Sequence, residues 1–77
     1  MSSEIITIYT RPSCGPCFAT KRALAKAGIA FIEVPLEEVS AEQIEAFRAS
    51  GLAEAPVVLT PTGEAWSGFR PERIAQQ

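Results

Sequence analysis

Two cysteines, Cys14 and Cys17, stand three residues apart, just after an apolar, β-branched run, Ile5-Ile6-Thr7-Ile8-Tyr9. At that spacing on a helix they sit one turn apart, close enough for their sulfurs to bond with modest rotamer adjustment. Such a pair alternates between dithiol and disulfide and so carries two electrons as ordinary thiol chemistry. A strand feeding a helix with this pair in its first turn points to redox work.

The chain has 77 residues, which sets one domain, residues 1–77, with one modest core. Apolar residues make up 47% and charged ones 21%, a globular composition. No apolar run approaches the ~20 residues that span a bilayer. Met1-Ser2-Ser3-Glu4 lacks the positive start and apolar block of a secretory signal. A cytoplasmic monomer that meets neither membrane nor nucleic acid is therefore the expectation, and the net charge of −2 agrees with the last point.

Cysteine usage fits that setting. A secreted domain of this size built on disulfides usually carries ~4–8 cysteines, and this one has 2. Bridging them closes a very short loop, worth roughly 2 kcal/mol in the chain-entropy account. As a staple the pair is poorly placed; as an exchange site it is well placed. Charge is also uneven along the chain. Arg11, Lys21, Arg22 and Lys26 precede residue 30 against Glu4 alone, whereas Glu33, Glu37, Glu38, Glu42, Glu45 and Glu54 follow against Arg48. The cysteines lie in the basic part, where a positive field favours thiolate over thiol, although unevenly filled solvated helix faces give the same pattern.

The expected order of elements is βαβαββα, an α/β fold with a four-stranded mixed sheet flanked by three helices. Residues 4–9 form a buried strand, and Pro12 pushes Arg11 towards extended geometry. A helix follows from about Gly15 to Ala27, with Gly28 as its stop. Ala30 to Val34 is a second strand ended by Pro35. Ser40 and Gln43 have the capping-box spacing at the head of a helix that carries Ile44 and Phe47 and stops near Gly51. Val57 to Thr60 is a third strand, Pro61-Thr62-Gly63 a turn, and Glu64 to Ser67 a short fourth strand pairing back as a hairpin. Pro71 and Glu72 suit the first turn of a last helix. The β–α–β unit requires a right-handed crossover and parallel pairing, and the terminal hairpin makes the sheet mixed.

Three sites could carry chemistry. Cys14 falls at or next to the helix N-cap, where free N–H groups and the helix dipole favour an anion. It is the expected nucleophile, and Cys17, one turn further in, the resolving thiol. Pro16 is harmless in a first turn and stiffens it. A metal site needs about four ligands; two cysteines and no histidine supply one only where two chains meet. The absence of histidine also removes a Cys–His hydrolase. A purely structural disulfide stays open. Pro56 is the second site, and on residue statistics it is simply a strand boundary, since cis bonds make up only about 5–6% of X–Pro bonds. The third is Trp66-Ser67-Gly68-Phe69-Arg70-Pro71-Glu72. Either Trp66 and Phe69 pack on the last helix with Gly68 as a turn, or the segment is an exposed aromatic and arginine surface for a partner.

Taken together, these residues resemble the thioredoxin and glutaredoxin fold, and within it the NrdH-redoxins, glutaredoxin-like proteins with thioredoxin-like activity. Ile8-Tyr9-Thr10-Arg11, Ala19-Thr20-Lys21-Arg22, Ala55-Pro56-Val57 and Trp66 through Glu72 carry the likeness. The resemblance implies a cis Pro56 facing the disulfide and an Ala55 backbone edge on which a substrate peptide pairs. It further implies a partner surface that takes in Arg11, Pro12, Gly15 and Pro16, with the segment Trp66, Ser67, Gly68, Phe69 and Arg70 tying the last helix to the preceding loop and shaping that surface. No bound cofactor is implied beyond the Cys14–Cys17 couple. Electrons would come from NADPH through the flavoprotein thioredoxin reductase and pass to the large subunit of a class Ib ribonucleotide reductase. The Trp66 segment replaces the motif with which glutaredoxins help hold glutathione.

One departure is the Gly15-Pro16 dipeptide, where this family usually has a bulkier apolar residue and a glutamine. With it, the expectation is a potential near that of thioredoxin, about −270 mV. No buried acid stands out as a proton shuttle, Glu33 being a weak candidate only. Two other readings remain at this point. One is a glutathione-dependent glutaredoxin using Arg11 and Lys21; the other is a non-catalytic adaptor that binds through residues 66–72.

Overall fold

β1, Ile6–Thr10, buries alternate residues Ile6, Ile8 and Thr10, as a half-covered strand of period two must. The computed structural model describes residues 5–77; Glu4, the expected start of this strand, lies outside them. The chain continues through α1 (Gly15–Lys26), β2 (Phe31–Pro35), a single 3-10 turn (Leu36–Glu38), α2 (Ala41–Ala49), β3 (Val57–Leu59), β4 (Ala65–Ser67) and α3 (Pro71–Ile74). This is the βαβαββα order, with the 3-10 turn as the one element the sequence did not announce.

Among the described residues the strands form one mixed sheet in the order β2-β1-β3-β4. β1 pairs parallel with β2 and antiparallel with β3, and β4 returns antiparallel to β3. Register decides what each face holds. Ile8 lies opposite Glu33 on one side and Val58 on the other, and Val58 lies opposite Trp66. Ile8, Val58 and Trp66 share a face with Ile6, and Leu24 of α1 and Ile74 of α3 close over them as the core. Each fully buried side chain of this size contributes about 1.5–3 kcal/mol. On the other face Tyr9 meets Phe47 of α2, ring centroids 5.0 Å apart and tilted by 58°.

Local chemistry sets the boundaries. The Ser40 hydroxyl accepts the Gln43 N–H at 3.1 Å, capping α2. Gly28 and Gly51 take positive φ just past α1 and α2, as helix stops commonly do. The hairpin closes at Thr60, which donates its N–H to the Glu64 carbonyl and accepts the Glu64 N–H on its hydroxyl, both at 2.9 Å. The Ala55–Pro56 peptide bond is cis. Residue statistics pointed to trans, and that reading is corrected here; the resemblance pointed the right way.

Candidate active site

Ser13 takes the left-handed conformation, φ 56°, which costs a non-glycine residue about 1–2 kcal/mol. It stands between the end of β1 and the N-cap of α1, which is Cys14, with extended φ and ψ. The Cys14 sulfur accepts the Cys17 backbone N–H at 3.1 Å, one of the first-turn donors that have no partner inside the helix. Pro16 falls in that first turn and removes no helical hydrogen bond there.

The two sulfurs are joined as a disulfide, with Cα atoms 5.3 Å apart. They are not equivalent. Cys17 is 3% exposed, while Cys14 is half-buried and sits among exposed Arg11, Pro12, Gly15 and Pro16. An incoming thiolate can reach only one sulfur freely. Thr20, fully buried one turn below, donates its hydroxyl to the Pro16 carbonyl at 2.8 Å and holds the turn from within.

Pro56 and the third site converge on this pair. The Cys14 sulfur lies 3.9 Å from the Ala55 carbonyl oxygen, so the cis-proline loop stands directly against it. Pro56 in turn accepts the Gly68 N–H on its carbonyl at 2.9 Å. The segment from Trp66 divides between the two readings it allowed. Trp66 is 3% exposed and belongs to the core, with the Arg73 guanidinium 5.0 Å from its ring centroid. Gly68 is buried at a φ of 78°. Neither can be an exposed partner contact, and for these two the surface reading is corrected: β4 register turns Trp66 inward opposite Val58. Ser67 is half-buried, and Phe69 (40% exposed) and Arg70 remain at the surface.

A groove of about 480 Å³ opens beside Cys14, between the start of α1 and the end of β2. Arg11, Lys21, Glu33 and Glu37 are its charged lining, with Thr10 and Phe18 between them. Glu33 accepts the Thr10 hydroxyl at 2.7 Å and both of its oxygens lie 3.1 Å from the Lys21 ammonium. The Thr10 hydrogen bond first, and then Lys21, hold its carboxyl below the ordinary value. A carboxyl held ionised in this way takes up a proton less readily than a free one, which weighs against Glu33 as a proton shuttle. Thr10 escaped the sequence reading, although the inward alternation Ile6, Ile8, Thr10 could have placed it at this corner. Among the described residues no cluster of ligating side chains could hold a metal ion.

An accessible sulfur at a helix N-cap, a shielded one a turn below and a cis-proline loop against the first form a dithiol–disulfide exchange site. The glutaredoxin family model matches residues 6–62. The glutaredoxin-like protein NrdH of Escherichia coli (strain K12) is 47% identical over 70 residues, covering 90% of this chain and 83% of that one. The chain belongs to the glutaredoxin-like NrdH family. Another NrdH, from Lactococcus lactis subsp. cremoris, is 35% identical over 94% of this chain and 97% of its own length. The solved NrdH-redoxin of E. coli, a glutaredoxin-like protein with a thioredoxin-like activity profile, superposes with a TM-score of 0.81 at 44% identity. That match covers 94% of this chain and 92% of that one. As an NrdH-family protein with a bonded Cys14–Cys17 pair, it is a thiol-disulfide oxidoreductase. No described helix is long and apolar enough to cross a membrane.

Proposed function

We propose that residues 1–77 act as a monomeric cytoplasmic protein disulfide reductase. In this reading it takes electrons from NADPH through thioredoxin reductase and delivers them to the large subunit of a class Ib ribonucleotide reductase. The observation that carries the reading is the asymmetry of the pair: a half-buried Cys14 sulfur on the Cys17 N–H, and a Cys17 that is 3% exposed. The thiolate of Cys14 attacks one sulfur of the partner's disulfide, and the other sulfur leaves as thiolate. Cys17, as thiolate, then attacks the Cys14 sulfur, which releases the partner as a dithiol and restores the internal disulfide. A peptide seated along the Ala55 backbone would present its disulfide to Cys14, since that carbonyl already lies 3.9 Å from the sulfur. Arg11, Pro12, Gly15, Pro16, Phe69 and Arg70 form the surrounding contact surface, with Pro56, Trp66, Ser67 and Gly68 supporting it.

The protein-partner reading is favoured over a glutathione-dependent one by the groove. Lys21, one of the two cations available to a glutathione carboxylate, is already held by Glu33, and Glu37 lies in the same lining. The test is NADPH oxidation with insulin as acceptor under two coupling systems. Turnover with thioredoxin reductase and none with glutathione plus glutathione reductase is the expected result; the reverse would make the protein a glutathione-dependent glutaredoxin.

A further inference from the structure

The Lys21–Glu33 pair takes no part in sulfur exchange, yet it forms the wall of the groove next to Cys14. We propose that Glu33 is a specificity-determining residue that closes this groove to anionic small thiols by holding the Lys21 ammonium against the sheet. The inference rests on the reading that a protein, not glutathione, supplies the electrons.

Three observations carry it. Lys21 follows Cys17 by one helical turn, so its stem rises on the same face as the buried sulfur. Its ammonium is bound to both oxygens of Glu33 at 3.1 Å. The carboxylate is itself fixed by the buried Thr10 hydroxyl at 2.7 Å. A loose surface ion pair contributes little because both long side chains must be ordered. Here one partner is already ordered by Thr10, and side-chain exposures of 32% and 39% leave the pair only partly hydrated. The charged lining is balanced, Arg11 and Lys21 against Glu33 and Glu37. Removing the Glu33 charge frees one cation and deletes one anion within the same few ångströms, so the groove turns net positive.

The affected reaction is direct reduction of the disulfide by a small thiol. A first thiolate attacks the Cys14 sulfur, forming a mixed disulfide while Cys17 leaves as thiolate. A second thiolate attacks the small thiol's sulfur in that mixed disulfide, releasing the small disulfide and the Cys14 thiolate. Two electrons pass to the protein, and the protein thiolates take their protons from solvent.

The experiment measures the rate of reduction of the oxidised protein by glutathione (anionic), 2-mercaptoethanol (neutral) and cysteamine (cationic), using acid quench and mass spectrometry. In Glu33→Gln, glutathione is expected to react about five-fold faster at low ionic strength, with the gain shrinking at high salt. Reaction with 2-mercaptoethanol should stay within about two-fold and cysteamine should slow. Adding Lys21→Gln to Glu33→Gln should return the glutathione rate towards wild type. An unchanged glutathione rate in folded Glu33→Gln, or an equal gain for all three thiols, overturns the proposal. Should Glu33→Gln not fold, Glu33→Ala is the second variant, and glutathione must gain on 2-mercaptoethanol there as well; an unchanged ratio overturns the proposal. Coupling to thioredoxin reductase is read on the same wild-type protein. Its failure removes the electron source but leaves the charge selectivity measurable, whereas an unaltered thiol ratio removes only this inference.

Discussion

The Cys14 sulfur accepts the backbone N–H of Cys17 at 3.1 Å, so the residue that later displaces the partner also supplies the donor that steadies the attacking sulfur. A thiolate gains from that bond, from the helix dipole and from its exposure. In the reduced protein, iodoacetamide at pH 6 is expected to label Cys14 about ten-fold faster than a free thiol and to leave Cys17 unmodified. Cys14→Ser should lose all turnover, whereas Cys17→Ser should accumulate a covalent adduct with the substrate protein on a non-reducing gel. Normal turnover by Cys17→Ser would remove the two-cysteine mechanism.

Gly68 links the last strand to the loop that touches Cys14. Its φ is 78°, its N–H is bonded to Pro56, and a Cβ there would meet the Glu54 carboxylate at 3.2 Å. Gly68→Ala is expected to cost about 1–2 kcal/mol, lowering Tm by roughly 5–10 °C in a domain of this size. It should also slow insulin reduction, because any relief moves the Pro56 carbonyl. Gly63→Ala is the control: at φ 96° in the hairpin, with no neighbour within 4 Å, it should carry the backbone cost while turnover stays unchanged.

What was legible in the sequence divides along the range of the interactions. Cys14 as N-cap, the Ser40 cap, the Gly28 stop and the hairpin are local: each follows from one residue's chemistry and its near neighbours, and each is found in the structure. The orientation of Trp66 is different. It depends on which face of β4 meets Val58, and a three-residue strand offers too few alternations to reveal its inward side. The Thr10–Glu33–Lys21 network was hidden for the same reason, since parallel register between β1 and β2 brings together residues 23 apart in the chain. The cis bond at Pro56 was visible only through resemblance, because one proline in isolation does not reveal its isomer.

Trp66 combines a large buried ring with an indole N–H that finds no partner among the described residues. Trp66→Ala removes the ring from the main core and is expected to cost about 3–5 kcal/mol, a large share of the roughly 4–12 kcal/mol available to a chain of this length. Trp66→Phe should be much milder. It shortens the ring but also removes an unpaired buried donor, whose desolvation costs about 1–3 kcal/mol. Urea unfolding of both variants checks this, and a Trp66→Phe loss as large as that of Trp66→Ala would overturn the assignment of the stability to burial of the ring.

Glu33 gives the stability a defined pH dependence. The Thr10 hydroxyl, and then Lys21, lower its folded pKa below the ordinary value of 4.5. For a depressed carboxylate the unfolded state takes up the proton first as pH falls, so stability drops with acidification. The Glu33 contribution is therefore complete above about pH 4.5 and disappears as pH falls through the lower folded-state value. Both side chains are about a third exposed, so screening keeps the contribution to about 1 kcal/mol. Urea unfolding of wild type and Glu33→Gln should differ by that amount at pH 7 and converge as the pH falls below the lowered folded-state value. Raised salt should narrow the gap at pH 7, since part of it is charge on charge. A gap that persisted unchanged at acid pH would assign the loss to packing of the substituted side chain and not to the Thr10–Glu33–Lys21 interaction.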